Sequence, residues 1–387
     1  MKKIALILLS VIFLCMAFSA CGTGDYTATI NVYNWGQYIS DGSDGCIDVN
    51  KAFTEATGIK VNYSTFDSNE TLYTKLKSGG VSYDVIVPSD YMVGMLASEG
   101  LLQELNYDNI PNYDKYVDKE FKNPTFDPEG KYSVPYTWGT VGIIYNSKYV
   151  TKPVDSWEIM WDKDYAGKIL MFDNPRDAFA IAEFLLKYSI NTTDEAELAA
   201  AAEKLAAQKD LVQSYVMDQV YALMETEEAW ICAYYAGDYL YMADTNPNLE
   251  FCFPKEGFNK FVDSLCIPTC AKNKDLAEMY INFLTDPEIS GENMNYIGYS
   301  TPVSEAKQYL DEEVANSPVA YPDEETLARS QSFESLPTET VSHMGELFNQ
   351  IKASGSGFTT LAFWIIVGGL AVMLIFFYIR KKYRDNY

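Results

Sequence analysis

Near its C-terminus the chain carries an uninterrupted apolar run, residues 361–379, closed by Arg380, Lys381, Lys382 and Arg384. The run holds no charge and has the length of a helix that crosses a bilayer, so the sequence predicts one C-terminal transmembrane helix there. A linker, residues 353–360, precedes it with the flexible stretch Ser354-Gly355-Ser356-Gly357. Basic residues stay on the cytoplasmic side, which makes residues 380–387 a cytoplasmic tail and places the long acidic segment on the extracellular face of the cell membrane. Work at an outer membrane surface is capture, sensing, adhesion or extracellular hydrolysis.

The other end reads consistently with export. Lys2 and Lys3 form a charged n-region, an apolar stretch follows to Phe18, and Ser19-Ala20 precede Cys21. Residues 1–20 are therefore a signal peptide. Phe18-Ser19-Ala20-Cys21 also resembles a bacterial lipobox, with Phe18 in place of the usual small aliphatic residue. Lipidation of Cys21, making the chain a lipoprotein, is the expectation, with plain cleavage or an uncleaved anchor as the alternatives.

The formal net charge is −25. The exported segment is more acidic still, because the basic residues at both ends lie outside it. Such a surface repels nucleic acid and anionic lipid and favours cationic partners. Tyrosine occurs 30 times, which supplies aromatic contact surface. Cys46, Cys232, Cys252, Cys266 and Cys270 are an odd set without metal-ligand spacing, and are expected as buried free thiols.

Along the exported part, strand-like and helix-like stretches alternate at lengths that argue for parallel βα units. Residues 28–33 alternate as a strand, a helix is expected from Val49 to Gly58, and residues 60–63 form a second strand. A helix carrying Leu72 and Leu76 follows, then the buried-type strand Asp84-Val85-Ile86-Val87-Pro88, with Ser89 or Asp90 capping the next helix. Residues 141–145, 168–172, 230–235 and 249–253 also read as strands, and Thr192 with Glu195 as a capping box. The length suggests two α/β lobes.

The search for catalytic motifs finds a single histidine, His343, and no GxSxG, P-loop, GxGxxG or HExxH pattern. No cofactor or metal site is expected; Asp41 and Asp44 lack the spacing of a calcium loop. A theme recurs at the strand ends instead. Trp35 and Tyr38 follow the first strand, Ser89 and Tyr91 the third, Asp173, Asn174 and Asp177 a later one; Tyr234 and Tyr235 end another, and Phe261 and Asp263 share one strand face. Ligands of open α/β sheets bind beyond the carboxyl ends of strands. Aromatic faces interleaved with carboxylates suit an elongated cation, with rings on its methylenes and carboxylates on its ammonium groups.

Several stretches carry a family resemblance: Val32-Tyr33-Asn34-Trp35, Thr57-Gly58-Ile59-Lys60-Val61, Tyr83-Asp84-Val85-Ile86-Val87-Pro88-Ser89, Ser133-Val134-Pro135-Tyr136, Phe253-Pro254-Lys255-Glu256-Gly257, Val262-Asp263-Ser264-Leu265 and Ile297-Gly298-Tyr299. In this order and spacing, from about residue 30 to 352, the chain resembles the extracytoplasmic spermidine/putrescine-binding proteins of polyamine ABC transporters. The resemblance implies a two-lobed periplasmic-binding-protein-like (type II) fold with a hinge. Lobe 1 would span 27–138 and 263–305, lobe 2 139–262 and 306–352, with crossings near Trp138-Gly139 and Val262-Asp263. Carried over residue by residue, it makes Trp35, Tyr38, Tyr91, Tyr234, Phe261 and Tyr299 aromatic walls, Ser89 a neighbouring hydroxyl and Asp263 the central carboxylate. Asn174 and Asp177 fall at the family's acidic pair. Asn174 replaces an acid, Tyr234 and Phe261 replace tryptophans, and Phe333 stands near an expected glutamine; fewer polar anchors imply either a shorter diamine or a weaker grip on the third amine of a triamine. The expected function is a membrane-tethered, non-enzymatic receptor that hands polyamine to ABC permease subunits. The alternatives are the same fold on another small organic cation, or an extracellular carboxylate-dependent hydrolase.

Overall fold

A computed structural model describes residues 26–353. Its strands are β1 (Ala28–Trp35), β2 (Ile59–Phe66), β3 (Val85–Ile86), β4 (Ser133–Asn146), β5 (Ile169–Phe172), β6 (Val212–Val216), β7 (Ile231–Tyr235), β8 (Leu249–Cys252), β9 (Phe258–Cys266) and β10 (Ser330–Gln331). They are linked in the order β2-β1-β3-β9-β4-β7-β5-β6, with β8 added to β4 and β10 to β9.

Two parallel groups arise where the sequence alternates strand and helix. β1 lies between β2 and β3, and β5 between β6 and β7, all parallel. The helix Val49–Thr57 between β1 and β2 is opened by the Asp48 side chain, which accepts from the Lys51 amide, and is stopped by Gly58 at φ 74°. It buries Val49 and Phe53, which recur one turn apart against the sheet. The helix Asn69–Ser78 is capped by Ser68 and buries Leu72 and Leu76 in the same way.

The two groups are joined by antiparallel pairing. β9 sits between β3 and β4. β4 pairs with β9 over its first part, then with β7 and β8 from Val141 onward. Trp138 and Val262, at the two expected crossings, are direct register partners. Only the end of β4 is visible as a strand in the sequence. All its residues are buried except the half-buried Tyr145, so there is no polar alternation to read, and Pro135 falls at a register shift that spares its missing N–H.

One local expectation is corrected. The helix Glu195–Gln208 is capped by Asp194, which accepts from the amides of Ala196 and Glu197. Thr192 instead lies outside the helix, where its hydroxyl meets the Glu197 carboxylate.

The fold class is corrected too. The mixed α/β part stands, but no helix of the described residues is long and apolar enough to cross a membrane. The last described helix, Thr338–Ala353, is amphipathic: Thr340, Met344, Phe348 and Ile351 are its buried stripe. It packs on the helices Pro175–Leu186 and Glu195–Gln208. The apolar run 361–379, the tail 380–387, the signal peptide and Cys21 lie outside the described residues. Among the described cysteines, Cys232 and Cys266 are buried and Cys46, Cys252 and Cys270 half-buried.

Candidate functional site

The carboxyl ends of β1, β3, β5 and β7 converge on one cavity, which β9 crosses. All ten site residues expected from the sequence (Trp35, Tyr38, Ser89, Tyr91, Asn174, Asp177, Tyr234, Phe261, Asp263 and Tyr299) line it. The empty space along its walls is about 640 Å³, part of it open to solvent. Its shape follows from the strands. Asn259, Phe261 and Asp263 alternate on one face of β9 and all point to it. Gly139, opposite Phe261 on β4, leaves room for that ring, since a Cβ there would lie 2.7 Å from it.

Tyrosines hold the acids. Tyr38 Oη donates to Asp263 Oδ2 at 2.6 Å and is itself met by the Thr137 hydroxyl. Tyr235 Oη donates to Asp177 Oδ2 at 2.9 Å, and Tyr221 Oη to Asp238 Oδ1 at 2.8 Å. The rings pack edge-on: Tyr38 lies 4.8 Å from Tyr299 at 81°, and Tyr235 lies 5.5 Å from Phe261 at 76°.

The electrostatics are one-sided. Asp177, Asp218, Asp238 and Asp263 line the cavity, and no Lys, Arg or His among the described residues does. Burial pushes Asp263 up to about 6, with Tyr38 and Ser89 partly offsetting it. Burial likewise pushes Asp177 up to about 7, with Tyr235 partly offsetting it, and Asp238 up to about 7, with Tyr221 and Tyr299 partly offsetting it. Asp263 Oδ1 and Asn259 Oδ1 are buried acceptors without a hydrogen-bond partner. An unsatisfied buried acceptor costs about 1–3 kcal/mol, so both favour a ligand that brings N–H donors.

Two expected residues have structural duties. Asn174 caps the helix Pro175–Leu186, its Oδ1 accepting from the Arg176 amide at 3.0 Å. Ser89 stands at the N-cap position of the helix Asp90–Ser98 but makes no side-chain cap; its Oγ accepts from Asn69 Nδ2 at 3.0 Å. Tyr234 stacks on Phe172 at 5.3 Å.

Sequence reasoning did not single out Asn69, Met217, Asp218, Tyr221, Asp238 and Asn259, which also line the cavity, as do Tyr235 and Phe333. Asn259 was findable, two residues before Phe261 on the same strand face. Asp238 was findable in the first turn of a helix that starts directly after β7. Asp218 and Tyr221 carry no local signal.

Gly237 gives a sharp test of this geometry. A Cβ there would lie 2.3–2.6 Å from Tyr299 ring atoms. Ordinarily Gly→Ala in a helix stabilises by about 0.5–1 kcal/mol. Here the ring must move, so Gly237→Ala should destabilise by about 1–3 kcal/mol and weaken binding at the cavity. A denaturant melt with an unchanged or raised midpoint would show that the close approach is wrong.

Fold and cavity together define a solute-binding protein, and residues 49–322 match the family profile of bacterial extracellular solute-binding proteins. The spermidine/putrescine-binding periplasmic protein of Salmonella typhimurium is 37% identical over 333 residues, covering 86% of this chain and 93% of that one. A structure assigned to a spermidine/putrescine ABC transporter of Listeria monocytogenes superposes with a TM-score of 0.80 at 37% identity, covering 84% of this chain and 99% of that one. The substrate-binding protein of a spermidine/putrescine ABC transporter from Streptococcus pneumoniae does so with a TM-score of 0.71 at 36% identity, covering 84% and 99%. The chain belongs to the bacterial extracellular solute-binding proteins and, within them, to the spermidine/putrescine-binding protein family.

Proposed function

We propose that this chain captures spermidine or putrescine in the cavity and delivers it to an ABC permease. The observation that carries the reading is the cavity itself: aromatic walls, carboxylates from several elements, orphaned acceptors on β9, and no basic side chain among the described residues lining it. An ammonium at Asp263 would satisfy the free Oδ1, and methylenes would lie against Trp35, Tyr38, Tyr91, Phe261 and Tyr299. Asn174 and Phe333 thin the polar contacts on their side of the cavity, which favours the shorter diamine.

In this reading residues 27–138 with 263–305, and 139–262 with 306–352, are two lobes that close like a clamp. The paired Trp138 and Val262 support a hinge where both strands cross. Outside the cytoplasm the chain would be held by lipid at Cys21, which the lipobox-like stretch supports.

Calorimetry on the purified protein should give heat with putrescine and spermidine. Ligand at about a hundred times its dissociation constant should add about 2.7 kcal/mol of apparent stability in a thermal melt. No heat with any di- or triamine, alongside heat with a sugar or peptide, would sink the reading.

A further inference from the structure

β9 carries open acceptors at two separate points of the cavity. Asp263 Oδ1 and Asn259 Oδ1 are both buried without a hydrogen-bond partner among the described residues, and both residues line the cavity. Asn259 is 3% exposed, as closely enclosed as Asp263 at 4%. Asn259, Phe261 and Asp263 are alternate residues of the strand Phe258–Cys266, so their side chains leave it on one face, with Phe261 between the two acceptors. Four residues of strand advance about 13 Å, which sets the acceptors apart across an aromatic surface.

The Asn259 end is otherwise short of free acceptors. β10 pairs Gln331 with Asn259 and leads on to Phe333, which lines the cavity with hydrocarbon alone. Asn174 Oδ1 is taken up by the Arg176 amide, and Asp177 Oδ2 by the Tyr235 hydroxyl. The strand itself has no need of the Asn259 amide, because asparagine is a poor strand residue and a buried strand face is better filled by β-branched or aromatic side chains. A buried carbonyl left unmatched costs stability. What it offers in exchange is an acceptor aimed at whatever fills the cavity.

We propose that Asn259 is a specificity-determining residue: it accepts a hydrogen bond from the far terminal ammonium of a long amine whose near end is held by Asp263, an inference that rests on the polyamine reading. Length decides which amines can do this. Fully extended, spermidine spans about 11 Å between its terminal nitrogens and putrescine about 6 Å. The longer amine reaches from Asp263 past the Phe261 ring to Asn259, and the shorter one, seated at Asp263, ends against the ring. The Asn259 oxygen is neutral, so it reads the N–H donors of the far ammonium and leaves the balancing of charge to the carboxylates. It thereby returns one polar contact to the side where Asn174 and Phe333 supply none, and sets how much a triamine gains from its extra length.

Asn259→Leu replaces the amide by hydrocarbon of nearly the same shape. Calorimetry with putrescine, spermidine and octamethylenediamine, which is as long as spermidine but lacks its middle nitrogen, separates length from the number of nitrogens. Relative to putrescine, spermidine and octamethylenediamine should each bind about tenfold more weakly in the variant than in wild type. A melt of the ligand-free protein gives an independent readout: with the orphaned acceptor gone, the variant should melt at or above the wild-type temperature. A lower midpoint, or failure to fold, shows that the amide serves the fold and overturns the proposal, as does an unchanged ratio of affinities. If spermidine weakens and octamethylenediamine does not, Asn259 meets the middle nitrogen and the assignment to the terminal one falls. If wild type binds none of the three amines, the polyamine reading falls and takes this assignment with it.

Discussion

Asp263→Ala should cost about 2–5 kcal/mol of polyamine affinity, and Asp263→Asn somewhat less, because each strands a buried ammonium without its counter-charge. Asp263 is 4% exposed, and Tyr38 fixes one carboxylate oxygen while the other is left without a partner. The aromatic walls around it exclude water, which strengthens the pairing relative to a surface one. Asp177 shares its charge with Tyr235 and lies next to Arg176, so Asp177→Ala should cost less and differ between putrescine and spermidine. Asp311, an exposed acid, serves as control and should leave binding unchanged. Side-by-side calorimetry decides; wild-type affinity in Asp263→Ala would place the site elsewhere.

Proton and polyamine should compete for the cavity. Asp263 at about 6, and Asp177 and Asp238 at about 7, all lie above the usual carboxylate value because of burial. For the ligand-free protein, the native state then binds more protons than the unfolded chain between about pH 4 and pH 7. The contribution of these groups to stability is fully present at the low end of that window and is lost as pH rises through it. Ligand binding has the opposite sign. An ammonium stabilises the charged carboxylate, so a proton must leave before it can bind. Affinity should therefore fall by about tenfold per pH unit for each acid that is protonated, first near pH 7 and more steeply near pH 6. Titrations in two buffers of different ionisation enthalpy would reveal the released protons. A dissociation constant that stays flat from about pH 8 to pH 5 would show that these carboxylates do not meet the ligand's charge.

Much of this was legible in the residues. Where one face of an element meets the core and the other meets water, the period is visible, as in the helix bearing Val49 and Phe53. β4 escaped because both its faces are covered. Of the expected residues that line the cavity, Trp35, Tyr38, Ser89, Tyr91, Asn174, Asp177 and Tyr234 sit at or just beyond strand ends, next to turns that punctuate the sequence; Phe261 and Asp263 share one face of β9, and Tyr299 is named only through the family resemblance. Asp218 and Tyr221 could not be read, since only the tertiary approach of Asp218 to Gly36 across the cavity brings them in. Ser89 and Thr192 show a different limit. Each resembles a helix cap, and in each case a neighbouring side chain claims the hydroxyl first.

β9 fills the gap between β3 and β4, and its Cys266 pairs with Ile86. Every residue of β3 and β4 is synthesised well before it. Until Phe258–Cys266 has emerged, the first half of the chain has an open slot where its central strand belongs and cannot close its sheet. No N-terminal fragment is a finished domain, and the pairings that complete it close very long loops, which slows folding. A polypeptide that must be threaded through a membrane before taking shape gains from that delay. The strand that carries Asp263 is also the one that keeps the nascent sheet open until synthesis is well past its midpoint.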